Sequence, residues 1–204
     1  MRGMTARTGG TMRYISGLLR NVQIASVLLC LAESMALGQA RGPMTIQATA
    51  KGTSTQLGKL LDVNIHIEAY STPDDQKVLI EAFKARGQDG LIDALQDMKS
   101  KGRIRFSSGG VGNDVKYIME LPADSGRRFR LVTDRNLAFG ELYNGTRSRD
   151  YSVGAIELVL TPDGKGSGTV LPACKLTVDK KTQQIEIETY QNPWKLSNFM
   201  VSKD

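Results

Sequence analysis

Asp114-Val115-Lys116-Tyr117-Ile118-Met119-Glu120-Leu121 is the stretch on which the fold turns. Val115, Tyr117 and Met119 recur at every second position with Lys116 and Glu120 between them, the period of a strand buried on one face. The neighbouring stretches repeat it, with Ile104 and Phe106 in 103–107 and Phe129 and Leu131 in 128–133. Further strands are expected over 153–161, 169–179 and 184–190, turning Ile156, Leu158, Leu160, Leu176, Val178, Ile185 and Ile187 to the same side. Asp124-Ser125-Gly126, Pro162-Asp163-Gly164-Lys165-Gly166 and Asp179-Lys180-Lys181-Thr182 carry hairpin chemistry, in which short polar side chains turn the chain and glycine accepts positive φ. Such short connections predict an antiparallel meander. Trp194, Leu196, Phe199 and Val201, after Pro193, predict a last edge strand or a cover over the core.

Upstream, 44–50 reads as a short alternating strand, 51–56 as a Gly/Thr/Ser-rich loop, and 62–70 as a half-buried strand carrying Val63, Ile65 and Ile67 inward. Thr72-Pro73-Asp74-Asp75 is a helix start: Thr72 caps, Pro73 needs no donor, and two carboxylates meet the positive end of the dipole. Val78, Leu79, Ala82 and Phe83 form one apolar stripe, which Gly87 ends. Leu91, Ala94, Leu95 and Met98 form a second before Gly102. The pair predicts an αα-hairpin that must bury both stripes against the sheet, with Phe83, Leu91 and Leu95 inward. The expected fold class is therefore α+β: an antiparallel β meander or sandwich-like sheet with an αα-hairpin packed on one face.

Residues 1–40 belong to export. Arg13 and Arg20, an apolar run over 24–32, and Gly38-Gln39-Ala40 are the three parts of a secretory signal peptide, with cleavage expected near Ala40. The run is too short to span roughly 30 Å of hydrocarbon. No transmembrane span is expected once the signal is cleaved, and 41–204 is read as a single domain, periplasmic or extracellular. The 204 residues carry 27 Lys and Arg against 21 Asp and Glu; cleavage removes four arginines and one glutamate and leaves a net charge of +3. A nucleic-acid partner thereby loses its electrostatic motive. Cys30 leaves with the signal, so Cys174 has no intramolecular partner.

Residues that carry chemistry are sparse in this chain. With one histidine and two cysteines the chain lacks the donors for His-rich metal centres and four-cysteine sites. No catalytic residue, metal site or cofactor is assigned. His66, with Asn64 and Glu68 on one strand face, suits a ligand pair or a base with an orienting carboxylate, but no third ligand is spaced to join it, and a solvated face is expected. Cys174 is expected to be simply buried. Arg103, Arg105, Lys116, Arg128 and Arg130 fall on one sheet face with Asp114 and Glu120; cross-strand ion pairs are expected, and docking of an anionic surface is the functional alternative. The densest polar cluster lies in the connection 133–151, with Asp134, Arg135, Glu141, Arg147, Arg149, Asp150 and Tyr151 as candidate binding residues. Arg–carboxylate pairs, or burial of Leu137, Phe139, Leu142 and Tyr143, are expected to order it.

Val132-Thr133-Asp134-Arg135, then Arg147-Ser148-Arg149-Asp150-Tyr151, then Ile156-Glu157-Leu158, resembles a group of small exported bacterial proteins of uncharacterised function, a likeness that spans 72–190. The resemblance implies export and one compact domain, and it carries over no activity or catalytic residue. The expected function is a non-enzymatic exported binding or structural domain whose partner is an envelope protein, an anionic surface or a small ligand. The alternative is a small carboxylate-dependent hydrolase with its site in 134–151.

Overall fold

Alternation builds the strands. In β1 (Met44–Gly52) Met44, Ile46, Ala48 and Ala50 are buried while Gln47 and Lys51 are exposed, and β2 (Leu60–Ile67) buries Val63, Ile65 and Ile67 in the same way. Then follow the helical element α1 (Pro73–Asp97), β3 (Gly102–Phe106), β4 (Asn113–Leu121), β5 (Arg127–Thr133), β6 (Val153–Leu160), β7 (Gly166–Val178), β8 (Ile185–Gln191) and β9 (Trp194–Lys203). The computed structural model describes residues 42–53, 56–108, 110–137 and 151–203, all within the unit Arg41–Asp204. The expected signal segment 1–40 lies outside the described residues.

Consecutive strands from β1 to β7 pair antiparallel; β7 pairs with β9, and β9 with β1. Eight strands thus close into an antiparallel barrel. β8 continues β9 rather than adding to the ring: one register carries β7 from Val170↔Trp194 to Ala173↔Gln191. The return strand is broken at Asn192-Pro193, where Asn192 adopts φ 49°. Beyond that break the far halves of β7 and β8 run on past the ring as a hairpin arm.

The α+β expectation is therefore corrected to a mostly-sheet closed barrel. Residues 194–203 are neither an edge nor a cover; they close the ring, from Met44↔Lys203 to Gly52↔Trp194. Period-two patterning marks which face of a strand is buried, but not which distant strand it meets.

Two bulges set the phase of the inward residues. In β9 the register slips between Gln47 and Thr49 of its partner, and Asn198 takes φ 55°. The extra residue lets Trp194 and Leu196, and then Phe199 and Val201, all face the interior despite the odd gap between the pairs. In β4 the register slips between Val115 and Tyr117. Val115 and Ile118 therefore join the interior cluster, while Tyr117 and Met119 face outward, against the expected inward set. Leu176, Val178, Ile185 and Ile187 also pack outside the ring, because they lie on the hairpin arm.

The expected αα-hairpin is instead one helical element bent within itself. Arg86 (φ −138°) and Gly87 (φ 61°) leave helical geometry, and the bend is tight enough that a Cβ on Gly90 would collide with the carbonyl oxygen of Ala82. Leu79, Ile80, Leu91 and Leu95 are buried and Phe83 half-buried, whereas Val78 is 52 % exposed. Both ends are tied to the barrel. Thr72 and Asp75 form a capping box, and Lys101 Nζ lies 3.0 Å from Asp75 Oδ2. At the other end, where the last turn holds no cation of its own, Lys116 Nζ from the β4 bulge donates to Met98 O at 2.9 Å.

Two cores result. The interior is filled by side chains such as Ile65, Ile104, Phe129, Leu131, Ile156 and Trp194, as suits a ring of eight strands. The second core lies outside, between α1, the arm and the outer faces of β4 to β7, around Leu79, Leu95, Tyr117, Val132, Leu171 and Ile185.

Candidate functional site

The outer surface of the barrel is covered where α1 and the arm pack on β4 to β7 and is open elsewhere, both across β1 to β4 and at a groove of about 820 Å³ lined by Arg128, Glu157, Thr169 and Lys195. On the bare flank, across β1 to β4, cross-strand register sets Thr45, His66, Arg103 and Asp114 in one row and Gln47, Asn64 and Arg105 in the next. Two shallow grooves of about 720 and 680 Å³ adjoin there and share Asn64 and Arg105.

Most of the polar groups in these rows are engaged. Thr45 Oγ1 and His66 Nδ1 are 3.0 Å apart, and His66 Nε2 is 3.9 Å from Glu68 Oε1. Arg103 donates through Nε and Nη2 to Asp114 Oδ1, at 3.1 and 2.9 Å. Arg105 is exposed and forms no ion pair among the described residues. A planar guanidinium held at the junction of two grooves presents donors in the fork geometry that matches a carboxylate or phosphate. Among the described residues no group of three or more His, Cys, Asp or Glu could hold a metal ion.

The other cations on the expected basic face are spoken for. Lys116 serves the C-terminus of α1, and Arg128 Nη2 is 3.5 Å from Glu157 Oε2. Arg130, 4 % exposed, bonds Glu157 Oε1 through Nε at 2.8 Å, reaches Glu186 Oε2 at 2.9 Å, and donates to Ile185 O. Burial works against its charge, but the two carboxylates raise its pKa above the usual arginine value. It is thus the clamp that fixes the arm to the wall of the barrel.

The candidate residues of 133–151 separate. Glu141, Arg147, Arg149 and Asp150, like Phe139, Leu142 and Tyr143, lie outside the described residues. Asp134 Oδ2 sits 3.8 Å from Lys116 Nζ, Arg135 is exposed, and Tyr151 is half-buried. Backbone bonds and apolar burial hold the described start of this segment. Thr133 Oγ1 donates to Arg135 O at 2.6 Å, Gly154 N–H donates to the same carbonyl, and Leu137 N–H donates to Pro172 O, which places Leu137 in the interior core at 1 % exposure. A Cβ on Gly154 would strike Leu137, so this position is kept clear for the plug.

Cys174 is buried in the second core, and burial pushes its thiol up to about 12. That keeps the sulfur protonated and poorly nucleophilic. Sequence reasoning missed the pairing of Thr45 with His66, because it depends on the β1–β2 register, and it grouped Arg105 with arginines that meet carboxylates on neighbouring strands. A scan against protein-family models, a search of curated proteins and a search of solved structures each returned no match.

Proposed function

We propose that the chain is an exported, non-enzymatic binding domain that holds a polar, anionic ligand against the bare flank, with Arg105 as its principal contact. The signal-like segment and the resemblance read from the sequence support export. One observation carries the site: Arg105 is the arginine of the strands that has no carboxylate partner among the described residues, and it stands where two grooves meet. Among the described residues the interior is filled mainly by apolar side chains, and its charged pair, Arg127 with Glu120, is already matched. The apolar-in, polar-out alternation of β1 to β3 is also the reverse of a lipid-spanning barrel. Asp134, the described member of the carboxylates considered for hydrolysis, faces Lys116.

The test is mass spectrometry of material that co-purifies with the chain from the cell envelope, compared with Arg105→Glu. An anionic component present with the parent and absent from the variant is expected. Identical material from both would overturn the reading.

A further inference from the structure

The described residues between β1 and β2, 53 and 56–59, are braced around an outward Leu57. Gln56 is tucked in at 7 % exposure, its N–H donates to Thr53 O, and Lys59 N–H donates to Gln56 O. Gly52 N–H donates to Lys59 O, and Thr53 Oγ1 donates to Pro193 O at the break between β8 and β9. A Cβ on Gly52 would collide with the Gln56 carbonyl, so the loop closes over a position that glycine alone fills. From this support Leu57 stands 77 % exposed, and Leu60 beside it is 63 % exposed. Apolar groups already fixed in place give up little further freedom when something covers them.

Lysines outnumber carboxylates around these leucines, Asp62 being the acidic residue that shares the outward face of β2 with Leu60. Lys51 is the cross-strand partner of Leu60 on one side and of Lys195 on the other, and Lys59 precedes Leu60 in the chain; all three lysines are exposed. Like charges set directly opposite on one sheet face are destabilising. Among the described residues neither Lys51 nor Lys195 forms an ion pair that would relieve the repulsion. An anionic surface outside the chain would relieve it.

We propose that this corner of the barrel docks on an anionic lipid surface, with Leu57 and Leu60 entering the boundary between headgroups and acyl chains and Lys51, Lys59 and Lys195 meeting the phosphates. Charge complementarity selects this occupant, and the leucines favour it over a nucleic acid, whose backbone has no use for exposed aliphatic groups. Apolar insertion and basic attraction together supply the two signals that stable peripheral attachment takes. This surface is separate from the Arg105 grooves and does not depend on them.

The full chain carrying Leu57→Trp reports on the site directly. Its fluorescence is followed with phosphatidylglycerol and phosphatidylcholine vesicles, each with and without brominated acyl chains. The parent chain, whose Trp194 is 2 % exposed, serves as the background. A blue shift and bromine quenching on phosphatidylglycerol are expected, with binding weakened about tenfold or more by Lys51→Glu/Lys195→Glu and by raised salt. Because the readout is local to position 57, attachment through the apolar run at 24–32 does not mimic it. Water-exposed emission on both vesicle types would overturn the proposal, and so would equal quenching on phosphatidylcholine that is indifferent to salt. The salt arm keeps the test decisive if the double variant misfolds.

Discussion

Arg130 on β5 and Arg105 on β3 both point away from the barrel axis, yet they live in opposite surroundings. Arg130 is enclosed by Glu157, Glu186 and the Ile185 carbonyl beneath the hairpin arm, whereas Arg105 is exposed beside Asn64 in an open groove. The difference lies in what covers them. On the flank of β4 to β7 the bent helix and the arm make the wall an interior surface, so a charge there must be paired. On the flank of β1 to β3 nothing among the described residues lies over the wall, so a charge can remain available. The same period-two alternation therefore produces a structural clamp on one side and a binding group on the other.

The sharpest way to break that comparison is to remove each guanidinium in turn. Arg130→Ala strands two carboxylates and a carbonyl, and is expected to cost about 3–5 kcal/mol. Arg105→Ala is expected to stay within about 0.5 kcal/mol of the parent. Urea unfolding of the two variants measures this, and coincident midpoints would mean that the arm does not depend on the clamp.

How much of this was legible in the sequence depends on the distance over which each feature is decided. The start of α1 was readable from Thr72 to Asp75, because a capping box is complete within four residues. The inward phase of β2 was readable because no bulge interrupts Val63, Ile65 and Ile67. β4 misled, since Lys116 interrupts the alternation and sends Tyr117 outward, and nothing local distinguishes a bulged lysine from an ordinary outward one. The closure of β1 on β9 was invisible for the same reason on a larger scale, as it joins residues about as far apart as the described chain allows. Of the site, the residues could be named but not sorted. Arg103, Arg105, Arg128 and Arg130 look alike in sequence, and only register shows which of them meet carboxylates.

Adjacent positions on α1 sharpen the comparison between covered and bare surface within a single element. Leu79 is fully buried against the wall while Val78 is 52 % exposed, although both belonged to the expected stripe. Leu79→Ala is expected to destabilise by about 2–5 kcal/mol, through lost transfer energy and the cavity left behind. Val78→Ala should cost no more than about 0.5 kcal/mol. Thermal unfolding checks both, and a large loss at Val78 would show that this face of the helix is covered by something else.

The smallest loss expected on the covered flank is at the helix N-terminus, where a charge fastens it. Asp75 Oδ2 accepts from Thr72 N at 2.7 Å and lies 3.0 Å from Lys101 Nζ. Burial opposes its charge, but the Thr72 amide and Lys101 outweigh that and hold the carboxyl below its usual range. A carboxyl with a lowered folded pKa stabilises fully above its unfolded value of about 3.9, and the contribution is lost as pH falls through the folded value. Asp75→Asn is therefore expected to cost about 1 kcal/mol near neutrality, with the gap to the parent narrowing below about pH 4. On the bare flank Asp114→Asn breaks a pair in which both side chains are more than a third exposed, and should change stability by no more than about 0.5 kcal/mol. Urea unfolding from pH 7 down to about pH 3 separates the two. An Asp75→Asn gap that does not narrow in acid would mean that shape, rather than charge, holds this end of the helix, and the contrast between the flanks would then rest on packing and the Arg130 clamp alone.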